Sequence, residues 1–218
     1  MQPEFPGEPR RDRPGRGPWT PPDPPGGGHH GLDPWLRERL FQQRLVMAHG
    51  LLTPALASDV AAQLLTLDAA GSEPVRLHLT CPDGDLGAAF ALVDALDLMR
   101  ASVRAVATGE VGGAALAVLA AAKERAAYPH ARFRLAEPRV DDVSGTANEI
   151  VGEASRHLRM LEDLILCLAD VTGRPRSRIE TDLSDGRLLS AEQALEYGLL
   201  HEIVGPGSAG WSRPGSSG

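Results

Sequence analysis

Between residues 35 and 205 the chain alternates short apolar runs with longer segments whose apolar positions recur every three or four residues. "WLRERLFQQR" predicts a short helix, and "LVMAHG" a strand closed by Gly50. "LASDVAAQLLTLDAAG" predicts a helix entered near Ser58 or Asp59 and ended by Gly71. "VRLHLTC" alternates as a strand, "PDGD" is a turn, "LGAAFALVDALDLMR" a helix and "VRAVATG" the next strand. From Ala114 to Arg125 the pattern predicts a helix of small residues, which must pack closely against neighbours on several sides. "HARFRLA" follows as a strand.

A long helix is predicted from about Ala147 to Val171, ending at Gly173. Ile150, Ala154, His157, Leu158, Leu161, Leu164, Ile165 and Leu168 form its apolar face, to be buried either in its own core or against a second copy of the fold. "RPRSRIETDLS" and "SAEQALEYGLL" predict two more helices, the second entered at an N-cap Ser190 with Glu192 nearby, and "HEIV" closes as a strand. Repeated strand–turn–helix units imply parallel strands with helical crossovers, hence an α/β domain.

The flanks differ. Residues 1–34 consist mainly of Pro, Gly and Arg, which cannot bury enough to offset ordering entropy, so a disordered tail is expected there. Residues 206–218 read as a flexible linker. The His29–His30 pair falls short of the three or four preorganised ligands a metal site needs.

Charge narrows the function classes. Lys and Arg total 22 against 29 Asp and Glu, a net of −7, which argues against a general nucleic-acid binder. The two cysteines, Cys81 and Cys167, lack metal-ligand or disulfide-framework spacing. No apolar run approaches the roughly 20 residues of a membrane span, and the N-terminal residues show no apolar signal region. A cytoplasmic protein without cofactor or metal, not bound to membrane or nucleic acid, is the expectation.

The order of these elements resembles the proteolytic subunit of the Clp protease (ClpP), within the broader ClpP/crotonase superfamily. "HLTCPDGDLGAAFALVDAL" is similar to the family's strand, Ser-Pro-Gly-Gly turn and following helix, with Asp94 at a family aspartate. "VTGRPRSRIETDLSDGRLLSAEQALEYGLLHEIV" matches its Thr-Gly, Ile-Glu, Asp, Leu-Ser and Glu-Ala-x-x-x-Gly-Leu pattern in order. The resemblance implies a spiral of strand–turn–helix units with a protruding handle helix. It also implies a serine–histidine–aspartate peptidase inside two stacked seven-membered rings. Partners would be other ClpP-like subunits, identical or catalytic, and an AAA+ unfoldase.

Carried over position by position, the resemblance finds no catalytic residues. The nucleophile, in the family's Gly-Gln-Ala-Ala-Ser-Met-Gly, falls on Gly113, or on Val111 if a two-residue shortening is moved upstream. The base falls on Ala136 in "LAEP", and the orienting acid on Gly186, beside Asp185. A serine needs a base to take its proton and an acid to hold that base, and all three are missing. The oxyanion donors match Gly84 and Ala114, but Asp83 stands where the turn has a glycine, bringing an acid to where negative charge would develop.

Substitutes are few. Cys81 would need a lowered pKa, which a neighbouring Asp83 opposes. Thr108 should lie in the preceding strand, and His130 is expected to make a structural hydrogen bond. Glu137, Asp141 and Asp142 read as an acidic loop, either solvated or part of an altered lining or ring contact, and "RVDD" replaces a glycine run of the family. The expectation is a catalytically inactive ClpP-like subunit. Two alternatives stay open: an independent scaffold on the same fold, and a crotonase-type acyl-CoA enzyme using Asp83, Glu110 or Glu137.

Overall fold

A computed structural model describes residues 33–138 and 145–205. The tails, the His29–His30 pair, "RVDD" and its Asp141 and Asp142 therefore lie outside the described residues.

Two sheets organise the fold. The first is wholly parallel, in the order β1 (Leu45–His49), β2 (Val75–Thr80), β3 (Val103–Ala107), β5 (Glu124–Ala127), β8 (Glu202–Ile203). The second joins β4 (Glu110–Gly112) parallel to β6 (Arg132–Leu135), and β6 antiparallel to β7 (Arg187–Ser190). Helix α1 (Pro34–Gln42) precedes β1. The other helices are α2 (Pro54–Ala70), α3 (Leu86–Leu98), α4 (Ala115–Ala121), α5 (Ala147–Thr172), α6 (Arg176–Ser184) and α7 (Ala191–Tyr197). This is the α/β, ClpP-like architecture that the alternation of elements predicts.

Local chemistry sets most boundaries. Helix α2 begins four residues before the expected Ser58, because the Thr53 side chain accepts from Leu56 N–H at 3.2 Å and Pro54 takes the first helical position. Asp85 caps α3 by accepting from Ala88 N–H at 2.7 Å. Reciprocal capping boxes open α5 (Thr146 with Glu149) and α7 (Ser190 with Gln193, the residue after the expected Glu192). Gly173 ends α5 in the left-handed region.

The small-residue helix departs most from expectation. It stops at Ala121, and Glu124 and Arg125, expected inside it, belong to β5, paired with Arg104 and Ala105 of β3. Completing the sheet between β3 and β8 outweighs the helix propensity of the alanines. The close packing does hold: Ala115 to Leu119 are fully buried between α3, α5 and the sheets.

The apolar face of α5 divides along its length. Leu164, Ile165 and Leu168 are buried in the subunit's own core, and Leu161 packs against it. Toward the start of the helix Ile150, Val151 and Leu158 are exposed, Leu158 at 64%. Burial in its own core therefore accounts for Leu164, Ile165 and Leu168, whereas Ile150, Val151 and Leu158 near the start of the helix stay exposed in the single chain.

Asp182 is buried at 2% exposure and ties three elements together. It accepts from Tyr197 Oη at 2.6 Å, Arg178 Nε at 3.1 Å, and Arg187 Nη1 at 3.1 Å on both oxygens. Burial alone would raise its pKa, but the bonds from Tyr197 and Arg187 and the charges of Arg187 and Arg178 together hold it below the usual carboxylate range. Such a group stabilises the fold above its unfolded pKa, about 3.9, and that contribution fades as pH falls through the lower folded value. Asp182→Asn is therefore expected to destabilise the protein by about 2–3 kcal/mol at pH 7. In urea titrations the gap from wild type should narrow below about pH 4; a gap independent of pH would remove the ionised carboxylate from this account.

Candidate functional site

The residues expected to carry chemistry gather where the two sheets meet. After β2 the chain turns through Cys81, Pro82, Asp83 and Gly84; after β4 it turns through Gly113 and Ala114 into α4. Gly112 N–H donates to the Cys81 carbonyl at 2.9 Å, and Gly113 N–H to the Arg134 carbonyl at 3.2 Å. The approach leaves no room for side chains: a Cβ on Gly112 would lie 2.5 Å from the Pro82 carbonyl oxygen and 2.9 Å from Arg134 Cβ. Gly84 is bridged to Leu52, and a Cβ there would overlap the Leu52 side chain and backbone.

Gly113 occupies the turn itself, with φ +51°, a conformation few residues other than glycine adopt. Val111 lies inside β4 with its side chain fully buried, and Gly113 lies in the turn after it. Ala136 and Gly186 are its neighbours through the ladder. Gly112 pairs with Arg134 and Leu135 with Arg187, so Ala136 and Gly186 each lie one residue beyond the same end of the second sheet. Gly186 has φ +65° and follows α6, where glycine relieves the left-handed strain; Asp185, the carboxylate next to it, is exposed. The sequence-derived positions 113, 136 and 186 thus converge, and none bears a nucleophile, base or acid.

Asp83 reaches into this junction. Its Oδ1 accepts from Gly84 N–H at 2.8 Å, so the donor expected to face an oxyanion already holds a carboxylate. A Cβ on Gly113 would overlap that same Oδ1. The other expected donor, at Ala114, stands at the start of α4 without a side-chain cap. Glu110 and Arg134 pair across β4 and β6 at 2.7 Å; this bond raises the Arg134 pKa, and Asp83 adds to its field. Glu110 thus sits in a partly exposed ion pair with Arg134.

The substitutes are each accounted for. Cys81 is fully buried, and burial pushes its thiol up to about 11, against a smaller opposing effect of a backbone bond at Thr80. Burial, not the expected Asp83 charge, is what suppresses it. Thr108 Oγ1 bonds Thr80 Oγ1 at 2.7 Å and follows β3, away from any imidazole hydrogen bond. His130 is exposed, and its bond runs from Arg132 to its backbone carbonyl rather than to its ring. Glu137 is also exposed. Among the described residues no group of three His, Cys, Asp or Glu could hold a metal ion, and no helix is long and apolar enough to cross a membrane.

A family model described as Clp protease matches residues 33–207, which include every described residue. The chain belongs to the Clp protease family. Among curated Clp relatives, the "ATP-dependent Clp protease proteolytic subunit 1" of Tropheryma whipplei is 32% identical over 187 residues, 84% of this chain and 89% of the relative. Proteins of the same name from Bifidobacterium longum and Corynebacterium glutamicum are 32% and 30% identical, each over 76% of this chain and over 72% and 81% of their own lengths. Within this Clp fold, the feature that sequence reasoning missed is the seat of the Asp83 carboxylate on Gly84 and against Gly113. The substitution itself was visible; its target, some thirty residues away, was not.

In the native protein, iodoacetamide at pH 8 is expected to leave Cys81 unmodified over hours and to modify it promptly in 6–8 M urea, a range that unfolds most domains. Peptide mapping distinguishes the two. Rapid native alkylation of Cys81 would return it to the list of nucleophiles.

Proposed function

We propose that this chain is a catalytically inactive subunit of a Clp-type protease assembly, with a structural or regulatory role in a ring shared with catalytic relatives. The observation that carries the reading is the convergence of Gly113, Ala136 and Gly186 at one end of the second sheet. Those are the three places where the family pattern asks for a nucleophile, its base and the orienting acid. A glycine, an alanine and a glycine supply no lone pair to attack a carbonyl and no group to move a proton.

What the chain retains favours assembly. The relatives it matches are named as proteolytic subunits, and the family match includes every described residue. Ile150, Val151 and Leu158 lie exposed along the first half of α5. Covering three such side chains would contribute roughly 1 kcal/mol each. In the family this handle joins one ring to its mirror partner, so a mixed double seven-membered ring with fewer active sites than subunits is the expected product. An AAA+ unfoldase acting on that ring, and a cytoplasmic location, complete the proposal.

The isolated chain should hydrolyse no fluorogenic peptide. Co-expressed with a catalytic Clp subunit from the same source, it should co-purify in one ring assembly by native mass spectrometry. Val151→Asp with Leu158→Asp should abolish that co-purification and leave the circular dichroism unchanged, because both side chains are already in solvent. A stable monomer that ignores the catalytic subunit at high concentration would favour the independent scaffold instead.

A further inference from the structure

The turn that carries Asp83 is fixed from every side. Leu52 N–H donates to the Asp83 carbonyl at 3.0 Å, and Asp85 N–H returns a bond to the Leu52 carbonyl at 2.9 Å. Gly112 N–H holds Cys81, and Gly84 is wedged against Leu52. The opposing turn is held as tightly by Arg134. Both turns are held by backbone bonds, so a side chain added at position 113 would first have to displace the Asp83 carboxylate from its place.

We propose that Asp83 is an internal plug: its carboxylate fills the volume a side chain at position 113 would need and occupies the Gly84 N–H that would otherwise receive a substrate oxygen. The inference rests on reading Gly113 and Gly84 as the family's nucleophile and oxyanion positions. Its physical content, a competition between Asp83 and any side chain at 113, stands on geometry. A Cβ at Gly113 overlaps Asp83 Oδ1 and lies 3.1 Å from Asp83 Cγ. The bond Oδ1 makes to Gly84 N–H, 2.8 Å, has an ionised acceptor and a backbone donor, the stronger class of hydrogen bond. The carboxylate thus mimics the charge the donor is shaped for, and holds the turn closed with no ligand bound.

The consequence is that losing the nucleophile and gaining the plug are one structural change. A side chain placed at 113 would have to drive the Asp83 carboxylate out of its present position and break its bond to Gly84 N–H. Removing Asp83 alone leaves an open donor with no nucleophile beside it.

The test is a double-mutant cycle on the full-length chain: wild type, Asp83→Gly, Gly113→Ala and both together, followed by melting temperature. Gly113→Ala is expected to lower Tm by roughly 5–8 °C in the wild type, where steric overlap and left-handed strain both act. In the Asp83→Gly background the drop should be less than half as large, because only the strain remains. Equal drops in both backgrounds would overturn the plug. Should Gly113→Ala fail to fold, hydrogen exchange decides the matter without it. A fragment spanning Gly84 should exchange about tenfold faster in Asp83→Gly than in wild type, and at an intermediate rate in Asp83→Asn, which keeps an acceptor oxygen without the charge. The same rate in all three proteins would equally overturn the proposal. Neither readout uses peptidase activity or ring assembly, so the plug and the inactive-subunit reading can fail separately.

Discussion

A backbone hydrogen bond from Gly112 N–H to the Cys81 carbonyl at 2.9 Å links the end of β4 to the turn after β2, where the two sheets meet. On one side is the turn that leaves the parallel sheet after β2; on the other is the end of β4, which begins the second sheet. The bond exists only because position 112 has no side chain, since a Cβ would press on the Pro82 carbonyl. Near it lie the Asp83 carboxylate, the Gly113 turn and the Glu110–Arg134 pair. The buried α4 then fixes the junction from behind, with Ala115 to Leu119 excluded from solvent.

This geometry separates two kinds of loss. In the proposed reading, a missing side chain at Gly113, Ala136 or Gly186 would remove reactivity and leave the scaffold as it is. Asp83 differs, because its carboxylate contributes a bond of its own to Gly84 N–H. On that reading an internal contact stands where a substrate contact would be.

How much of this was legible in the chain depends on how local each signal is. Long elements with caps were readable: α3, α5 and α7 follow from apolar spacing and from Asp85, Gly173 and Ser190. Thr53-Pro54, an N-cap followed by a first-turn proline, was an available signal for the start of α2, but Ser58 and Asp59 were the more conspicuous polar residues. Of the short strands, β6 and β8 were expected from "HARFRLA" and "HEIV", but β4, β5 and β7 were not. Glu124–Ala127 continues an alanine-rich run, and only pairing with β3 reveals it as β5. The three residues of β4 and the four of β7 are likewise strands because of partners distant in sequence. The site divides in the same way. The expectation about positions 113, 136 and 186 comes from the order of motifs, whereas the proximity of Asp83 to the Gly113 turn arises from packing between elements.

The central claim is that this subunit contributes surface and no reactive centre to a Clp assembly. It is tested most directly by treating the purified mixed assembly with an excess of a fluorophosphonate and measuring the intact mass of each chain. The account predicts that the catalytic partner gains one adduct per subunit while this chain keeps its unmodified mass. Stoichiometric addition to this chain, at any residue, would contradict it.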